Sequence, residues 1–493
     1  MKGSLKTLAN DTIIYGFSSV LGRFLSFILT PIYTNYLLPF EYDFVIYSFS
    51  IVAFLNVIYA LGMESAYFRF YNIENKEESK KAFTNSYITN NLIAILITLF
   101  FLIFSQYFGY KIASDKITNP GFLFFIAMLM PMMDSLTYVP FAHLRMSRQA
   151  KKFAILKFLT ILITVILNFV FLIYFQLQAL GVFLAQIIGS SLAFFYFIPI
   201  IKDNLLLSID IRLFKSMLKF AIPTIPASLS SIILQVADRP ILKELTNSEM
   251  AITTYQVNYR LGIPMMIFVT VFEYAFKPFY LSLIKESNIK ETLSRIFTYF
   301  NLIGCLLFLI FSFFIEYLVR LPFIGGKLIN PIYWEGLNIV PIILSAYFFN
   351  GLFVNFSAGF IIEKQTKYLP ISVGIAAIVN IVANFILIPI YGYVGAAWST
   401  FLSYFVSMLI LYILSRKVYP INYEWRRVFL IIITTIIIFI INYLLKINIT
   451  EIVGVLLKIT LILLFLVMLY IFGFFNRTEV SLIRNFLKFK KNE

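Results

Sequence analysis

Three arginines interrupt long apolar stretches of the sequence, and their guanidinium groups are the side chains best suited to binding an anion. Arg23 lies about 11 residues into the first stretch, which is roughly 16 Å along a helix. Arg260 lies about eight residues into a later stretch, and Arg239 follows Asp238 at the end of another. A charge buried among lipid costs at least about 2.5–3.5 kcal/mol, so each arginine is expected to face a partner or water.

Guanidinium groups bind phosphate oxygens through paired hydrogen bonds, so Arg23, Arg260 and Arg239 are candidates for an anionic headgroup in a cavity. Structural alternatives stay open for all three. Arg23 can pair with a carbonyl group or an acid, Arg260 can extend to the membrane surface, and Asp238-Arg239 can be a local ion pair. The neighbours Gln256 and Asn258 form a polar stripe beside Arg260, which favours a cavity.

Acidic side chains within the apolar stretches are fewer. Asp134, in PMMDSLTYVPF, is a candidate to relay a coupling proton, with a structural hydrogen-bonding role as the alternative. Glu273 lies near the end of its stretch and is interpreted as interfacial. Lys458 lies a few residues into the last stretch and is expected to extend to the membrane surface.

No motif of an enzyme is present. The sequence has one cysteine, Cys305, and one histidine, His143, so it offers neither a disulfide framework nor a cluster with metal-ligand spacing. No phosphate-binding P-loop and no nucleophile elbow occurs. We therefore expect neither catalysis nor a metal or other cofactor, although coupling to a proton or sodium gradient is compatible with Asp134.

The composition is that of a polytopic membrane protein. Of 493 residues, 60% are hydrophobic and only 13% are charged, and the mean hydropathy is +0.88. The net charge of +16 is concentrated in short loops between apolar runs. Cytoplasmic loops of membrane proteins are enriched in lysine and arginine and lie next to anionic lipid. The positive charge therefore does not indicate a nucleic-acid partner.

Apolar runs of about 20 residues predict membrane-spanning helices. An all-α protein with about fourteen of them is expected, because a lipid-exposed backbone must satisfy its hydrogen bonds within each segment. The predicted spans are 12–36, 44–66, 83–107, 121–142, 154–175, 180–201, 217–239, 252–275, 296–318, 336–360, 369–390, 394–414, 428–445 and 453–475.

Loops that are rich in lysine and arginine alternate along the chain with loops that contain few of them. This alternation predicts both termini on the cytoplasmic side. Fewer basic residues occupy the loops predicted to be outside, namely Lys111, Lys116, Lys243, Arg320, Lys327 and Lys446. No outer loop is long enough for a domain. Any functional site is therefore expected within the membrane or at its edges.

An internal repeat divides the spans into two lobes. The run NFVFLIYFQLQALGVF from Asn168 resembles NFILIPIYGYVGAAW from Asn384, about six spans later. Two parallel six-helix lobes are predicted, the N lobe at 1–205 and the C lobe at 206–416. Two further helices and a basic tail follow at 417–493, and a cavity is expected between the lobes.

The whole chain resembles the Wzx-type polysaccharide biosynthesis proteins, which are O-antigen or capsule repeat-unit flippases of the MOP superfamily with a MATE-like fold. The residues that carry the resemblance are Arg23 in the first span and the segments LGMESAYFRF, FAHLRMSRQAKKF, AIPTIPASLSSIILQVADRPIL and GYVGAAWSTFLSY.

The resemblance implies alternating-access translocation, without ATP, of a polyprenyl-diphosphate-linked oligosaccharide across the bacterial cytoplasmic (inner) membrane. It implies membrane lipids, a polysaccharide polymerase and chain-length machinery as partners, with Arg23, Arg239 and Arg260 at the headgroup. A multidrug or cation antiporter of the same superfamily is an alternative, as is a lipid II flippase. A glycan polymerase or ligase is disfavoured because no outer catalytic loop exists.

Overall fold

The fold consists almost entirely of helices, as the apolar runs predict. A computed structural model describes residues 16, 20–25, 27–246, 248, 250–445, 452–475 and 479. Helix α1 comprises residues 20–25 and 27–36. The other helices of the N lobe are α2 (Pro39–Ala60), α3 (Met63–Phe70), α4 (Lys76–Ile103), α5 (Ser105–Ile112), α6 (Pro120–Met146), α7 (Ala150–Phe169, extended by a π turn over Val170–Tyr174) and α8 (Gln178–Asn204).

The second half begins with a helix in three pieces, α9 (Ile211–Ala221), the 3₁₀ turn Ile222–Thr224 and α10 (Ile225–Val236), followed by α11 (Asp238–Leu245). A two-residue hairpin, β1 (Pro322–Phe323) and β2 (Gly326–Lys327), and a 3₁₀ segment (Pro331–Ile339) form a small outer cap. The remaining helices are α12 (Ala251–Arg260), α13 (Ile263–Ser282), α14 (Ile289–Arg320), α15 (Val340–Ile362), α16 (Tyr368–Tyr391), α17 (Tyr393–Val418), α18 (Trp425–Leu445) and α19 (Ile452–Ile471).

The number of spans agrees closely with the prediction. Twelve helices of the described residues are long and apolar enough to cross a membrane, and the bent pair α12 and α13 makes a thirteenth if it is one span. The one remaining predicted span is the first, 12–36. It begins outside the described residues, and the part of it that is described is helical. The predicted fold class is therefore confirmed.

Helices that follow one another in the chain pack side by side. In the N lobe α6 packs on α4 and α8, and in the C lobe α17 packs on α15 and α16. Helix α18 packs on α14 and α19, which places the two additional helices against the outside of the C lobe. The domain boundaries at 205 and 416 stay a prediction.

Both lobes contain a helix that breaks at a Leu-Gly pair. Helices α2 and α3 separate at Leu61-Gly62, where both residues have positive φ angles of 42° and 66°. Helices α12 and α13 separate at Leu261-Gly262 with a bend of 45°. Both breaks occur in the second predicted span of their lobe, the first near the inner end of 44–66 and the second in the outer half of 252–275, so the two joints lie at different depths.

Gly62 is needed at the first break for two reasons. Its φ of +66° is costly for other residues, and a Cβ atom there would lie 2.6 Å from the carbonyl oxygen of Ala221. We expect Gly62→Ala to destabilise the protein by about 2 kcal/mol or more, from strain and overpacking. The midpoint of thermal unfolding in detergent measures this loss.

Gly473 provides the matched control for that substitution. It also has a positive φ, of +72°, but a Cβ atom there would meet nothing within 4 Å. Gly473→Ala should therefore cost only the backbone strain of about 1 kcal/mol. Equal losses of stability in the two variants would show that the contact between Gly62 and Ala221 contributes nothing.

Lys458 does not extend to the membrane surface as the sequence predicted. It is buried between α19 and α14, where its Nζ donates a hydrogen bond of 3.0 Å to the carbonyl oxygen of Phe313. The ring of Tyr317 lies 4.9 Å from the same ammonium group. The carbonyl group and the aromatic ring on the neighbouring helix thus stabilise the ammonium group in place of the water that it would contact at the membrane surface.

The lobes contact each other at their predicted outer ends. An ion pair joins Lys243 on α11 of the C lobe to Asp43 on α2 of the N lobe, and we call this pair the outer latch. Nearby, the Asn35 side chain donates a hydrogen bond of 2.8 Å to the carbonyl oxygen of Lys327. The seam between the lobes is therefore held by polar contacts at this end.

Candidate functional site

A cavity of about 790 Å³ lies between the two lobes. Its N-lobe side is formed by residues of α1 and α7, and its C-lobe side by residues of α10, α12, α13, α15, α16 and α17. Several lining residues, among them Phe153, Glu273 and Val373, lie towards the predicted cytoplasmic ends of their helices. The cavity therefore extends from the predicted inner side up to Val236 and Gln256, below the outer latch.

Three cationic side chains line this cavity, and they are Arg23, Lys157 and Arg260. Among the described residues, none of them has a carboxylate oxygen within 4.0 Å. An unpaired cation inside an apolar protein is costly unless water or an anion stabilises it. The cavity is therefore suited to an anionic ligand.

The contacts of the three cations are weak and leave hydrogen-bond donors available. Arg23 Nη1 lies 3.0 Å from the sulfur of Met266, and Arg260 Nη1 donates to Thr30 Oγ1 at 3.2 Å. Both contacts join α1 of the N lobe to the C lobe. The Lys157 ammonium lies 4.2 Å from the centre of the Phe141 ring.

Helical spacing explains why these side chains face the same space. Phe153, Lys157 and Ile161 are four residues apart along α7, and all three line the cavity. Arg260 follows Gln256 by one turn of α12, and both line the cavity. One face of each helix thus carries the lining.

Sequence reasoning missed Lys157. It lies within the predicted span 154–175, a few residues after the basic loop that includes Lys151 and Lys152, and it was not singled out. Phe153, Lys157 and Ile161 are spaced four residues apart and so lie on one helical face. This spacing is the sequence signal that could have identified Lys157 as a lining residue. The structure makes it the third cation of the site.

Among the lining residues that the structure describes, Glu273 is the one carboxylate. The sequence interpretation placed it at the membrane interface, whereas the structure places it in the cavity wall on α13. It interacts electrostatically with Lys277 and Arg23. With three cations and one carboxylate, the lining carries an excess of two positive charges.

Arg239 lies behind the cavity and forms a buried ion pair with Asp238. Its Nε donates a hydrogen bond of 2.8 Å to the Gln256 side chain, and its guanidinium group lies 4.3 Å from the centre of the Tyr259 ring. It also lines a smaller cavity of about 240 Å³ that shares Arg260 and Gln256 with the first. Of the three predicted arginines, two therefore line the main cavity.

Asp134 is enclosed between α6 and α8. It accepts hydrogen bonds from Ser190 Oγ and Gln186, and it is not among the residues that line the cavity. Lys157, which does line the cavity, interacts electrostatically with it. A role of Asp134 in ion coupling stays a prediction.

Two helical lobes around a cationic cavity define a multi-pass membrane protein with the architecture of a transporter. Residues 8–263 match the model of the polysaccharide biosynthesis protein family, and the chain belongs to this family. A search of curated proteins found no match.

Solved structures support the same fold. The lipid II flippase MurJ in an inward closed conformation superposes with a TM-score of 0.75 and 19% identity, over 93% of this chain and 98% of that one. A MATE transporter of Vibrio cholerae gives 0.55 and 13%, over 84% and 98%. A MOP superfamily transporter of Pyrococcus furiosus gives 0.59 and 12%, over 83% and 95%. The predicted MATE-like fold is thus confirmed.

Proposed function

We propose that this protein is a flippase that moves a polyprenyl-diphosphate-linked oligosaccharide across the bacterial cytoplasmic membrane. The observation that carries the proposal is that Arg23, Lys157 and Arg260 line a cavity between two lobes and that, among the described residues, none of them forms an ion pair with a carboxylate. A diphosphate group supplies the negative charge that these side chains lack, and guanidinium groups replace its water of hydration with directed hydrogen bonds.

The size and position of the cavity support this substrate class. Its volume of about 790 Å³ falls within the range of small-molecule sites, roughly 300–1,000 Å³, and so suits a headgroup rather than a complete lipid. The polyprenyl chain can remain in the bilayer while the diphosphate and its sugars enter between the lobes. The lipid tail then needs no apolar site within the cavity.

The outer latch and the position of the cavity support loading from the cytoplasmic side. Asp43 and Lys243 hold the lobes together at the predicted outer end, whereas the cavity extends to the predicted inner side. In this proposal the substrate enters from the cytoplasmic side, on which both termini lie. Separation of Asp43 from Lys243 then releases it outside, and a proton or sodium gradient is the proposed energy source.

Reconstitution into vesicles tests this function. We would measure how fast a fluorescent undecaprenyl-diphosphate-linked oligosaccharide becomes accessible to a membrane-impermeant quencher on the opposite leaflet. We expect transbilayer movement well above that in protein-free vesicles. If the rate equals that of protein-free vesicles while the protein accumulates a cationic dye along an ion gradient, the antiporter alternative replaces the proposal.

Lys157 should contribute to the same transport. We expect Lys157→Gln to reduce the flipping rate about ten-fold, because one charged hydrogen bond contributes about 1.5 kcal/mol or more. Lys152→Gln is the matched control, since Lys152 is an exposed lysine on the same helix and does not line the cavity. Equal rates for the two variants would exclude Lys157 from the headgroup site.

Polysaccharide polymerase and chain-length machinery stay proposed partners. They would receive the repeat units that the flippase delivers outside. Membrane lipid surrounds the helices, whose outer faces carry many exposed leucine and isoleucine side chains.

A further inference from the structure

We infer that the two faces of the cavity recognise different parts of the substrate, and that a C-lobe surface, braced from behind by Arg239, binds the glycan. This inference rests on the proposed function. We call this surface the tyrosine wall, and it consists of Tyr259, Tyr347, Tyr404, Asn350 and Gln256. Arg239 acts as a positioning residue and does not contact the substrate.

Three tyrosines form a continuous aromatic surface that lines the cavity. The ring centres of Tyr259 and Tyr347 are 5.8 Å apart, and those of Tyr347 and Tyr404 are 6.2 Å apart. A tyrosine offers an apolar ring face together with a hydroxyl group. A sugar ring has the complementary pattern, with C–H groups on its faces and hydroxyl groups at its edge.

Side-chain amides adjoin the aromatic surface and have free hydrogen-bonding capacity. Asn350 lines the cavity, and none of the hydrogen bonds among the described residues involves its side chain. The Gln256 oxygen accepts the bond from Arg239, so its NH₂ group keeps its donors for a ligand. Amides and hydroxyl groups that converge on a pocket are typical of sites that orient a polar, uncharged ligand.

Arg239 supports the wall from the buried side. Its guanidinium group contacts the rings of Tyr259 and Tyr255 at 4.3 and 5.2 Å and fixes the Gln256 oxygen at 2.8 Å. Asp238 neutralises its charge and also accepts hydrogen bonds from Tyr255 and Thr400. Because its charge is satisfied within the protein, Arg239 is not the ligand of a phosphate group.

The opposite face of the cavity has a different chemistry. Among the described residues, the N-lobe lining consists of Gly22, Arg23, Phe153, Lys157 and Ile161. These side chains offer two cations and apolar surface, without an amide or a hydroxyl group. The diphosphate therefore binds at this face with help from Arg260, and the sugars extend across to the tyrosine wall.

Binding of two matched probes tests this division. We would measure the Kd of the purified full-length protein for farnesyl diphosphate and for farnesyl-diphosphoryl-N-acetylglucosamine. Wild type should bind the sugar-bearing probe about five-fold more tightly, the gain expected from one or two hydrogen bonds. Asn350→Ala and Tyr404→Phe should lose most of this gain and change the Kd for farnesyl diphosphate less than two-fold. Arg23→Ala should weaken both probes.

A conservative variant and a control separate positioning from folding. Arg239→Lys keeps a cation beside Asp238 but loses the Nε bond to Gln256, so it should also lose the sugar-dependent gain. Asn355→Ala changes the same residue type on the same helix, away from the cavity lining, and should keep the gain.

Two results would overturn the inference. The first is equal affinity of wild type for the two probes, and the second is equal loss of the gain in Asn355→Ala and Asn350→Ala. If wild type binds neither probe, the proposed function fails first and the inference falls with it. If wild type binds both probes equally, the proposed function survives and only the glycan surface is rejected.

Discussion

Arg23→Ala is expected to abolish transport, with a loss in flipping rate of at least about 100-fold. The guanidinium group can donate two charge-assisted hydrogen bonds to a diphosphate, each contributing about 1.5–3 kcal/mol. Its observed contact, with the sulfur of Met266 at 3.0 Å, is weak and does not hold the folded state together. Surface polysaccharide should therefore disappear while the variant protein is still inserted in the membrane.

Two further variants make this prediction specific. Arg23→Lys keeps the charge but loses the paired geometry, so it should retain part of the transport. Arg295→Ala removes an exposed arginine that pairs with Glu291 on α14, away from the cavity, and should transport normally. Normal transport by Arg23→Ala would exclude this residue from the anion site.

Lys243→Ala is expected to open the predicted outer end of the seam. Asp43 is buried, and removing its lysine partner takes away the ion pair that stabilises its carboxylate in the closed state. The open state returns that carboxylate to water, so the equilibrium should move towards it by roughly 10- to 100-fold. A cavity residue should then become accessible from outside.

Cysteine labelling measures that change. In a Cys305→Ala background, Thr270→Cys places a thiol in the cavity lining, and a membrane-impermeant maleimide added outside reports its accessibility. Lys111→Ala, an exposed lysine on the same predicted side, is the control. The exchange of Asp43→Lys with Lys243→Asp should restore slow labelling. An unchanged labelling rate in Lys243→Ala would show that the outer latch does not close the seam.

The spans were predictable because each needs only a local property, a long apolar run. The joint at Leu61-Gly62 was not, since it lies inside such a run and the hydropathy of these residues does not mark their positive φ angles. The 3₁₀ turn at Ile222–Thr224 differs, because Pro223 within it is a local sequence signal for a kink. Hydropathy averages over a window and does not register a change of backbone geometry over two or three residues.

Site residues were predictable where their depth within a single span was enough to place them in the cavity. Arg23 and Arg260 lie deep in their spans, and both line the cavity. Arg239 lies at a span end, and its burial depends on α12 and α17, which pack against α11. Glu273 and Lys458 were misplaced because the cavity around Glu273 and the carbonyl group that Lys458 contacts are formed by distant parts of the chain, although Glu273 also interacts with Lys277 one turn away.

The paired Leu-Gly joints have a mechanical consequence. A continuous helix transmits bending along its whole length, whereas a broken one confines it to the joint. On the outer side of the two joints, α2 with Asp43 packs on α12 with Arg260, and we call this pair of helices the roof. On the inner side, α3 packs against α9 of the C lobe, and α13 is the longer inner segment that the 45° bend separates from the roof. We therefore expect the cytoplasmic entrance to widen and narrow while the roof stays closed.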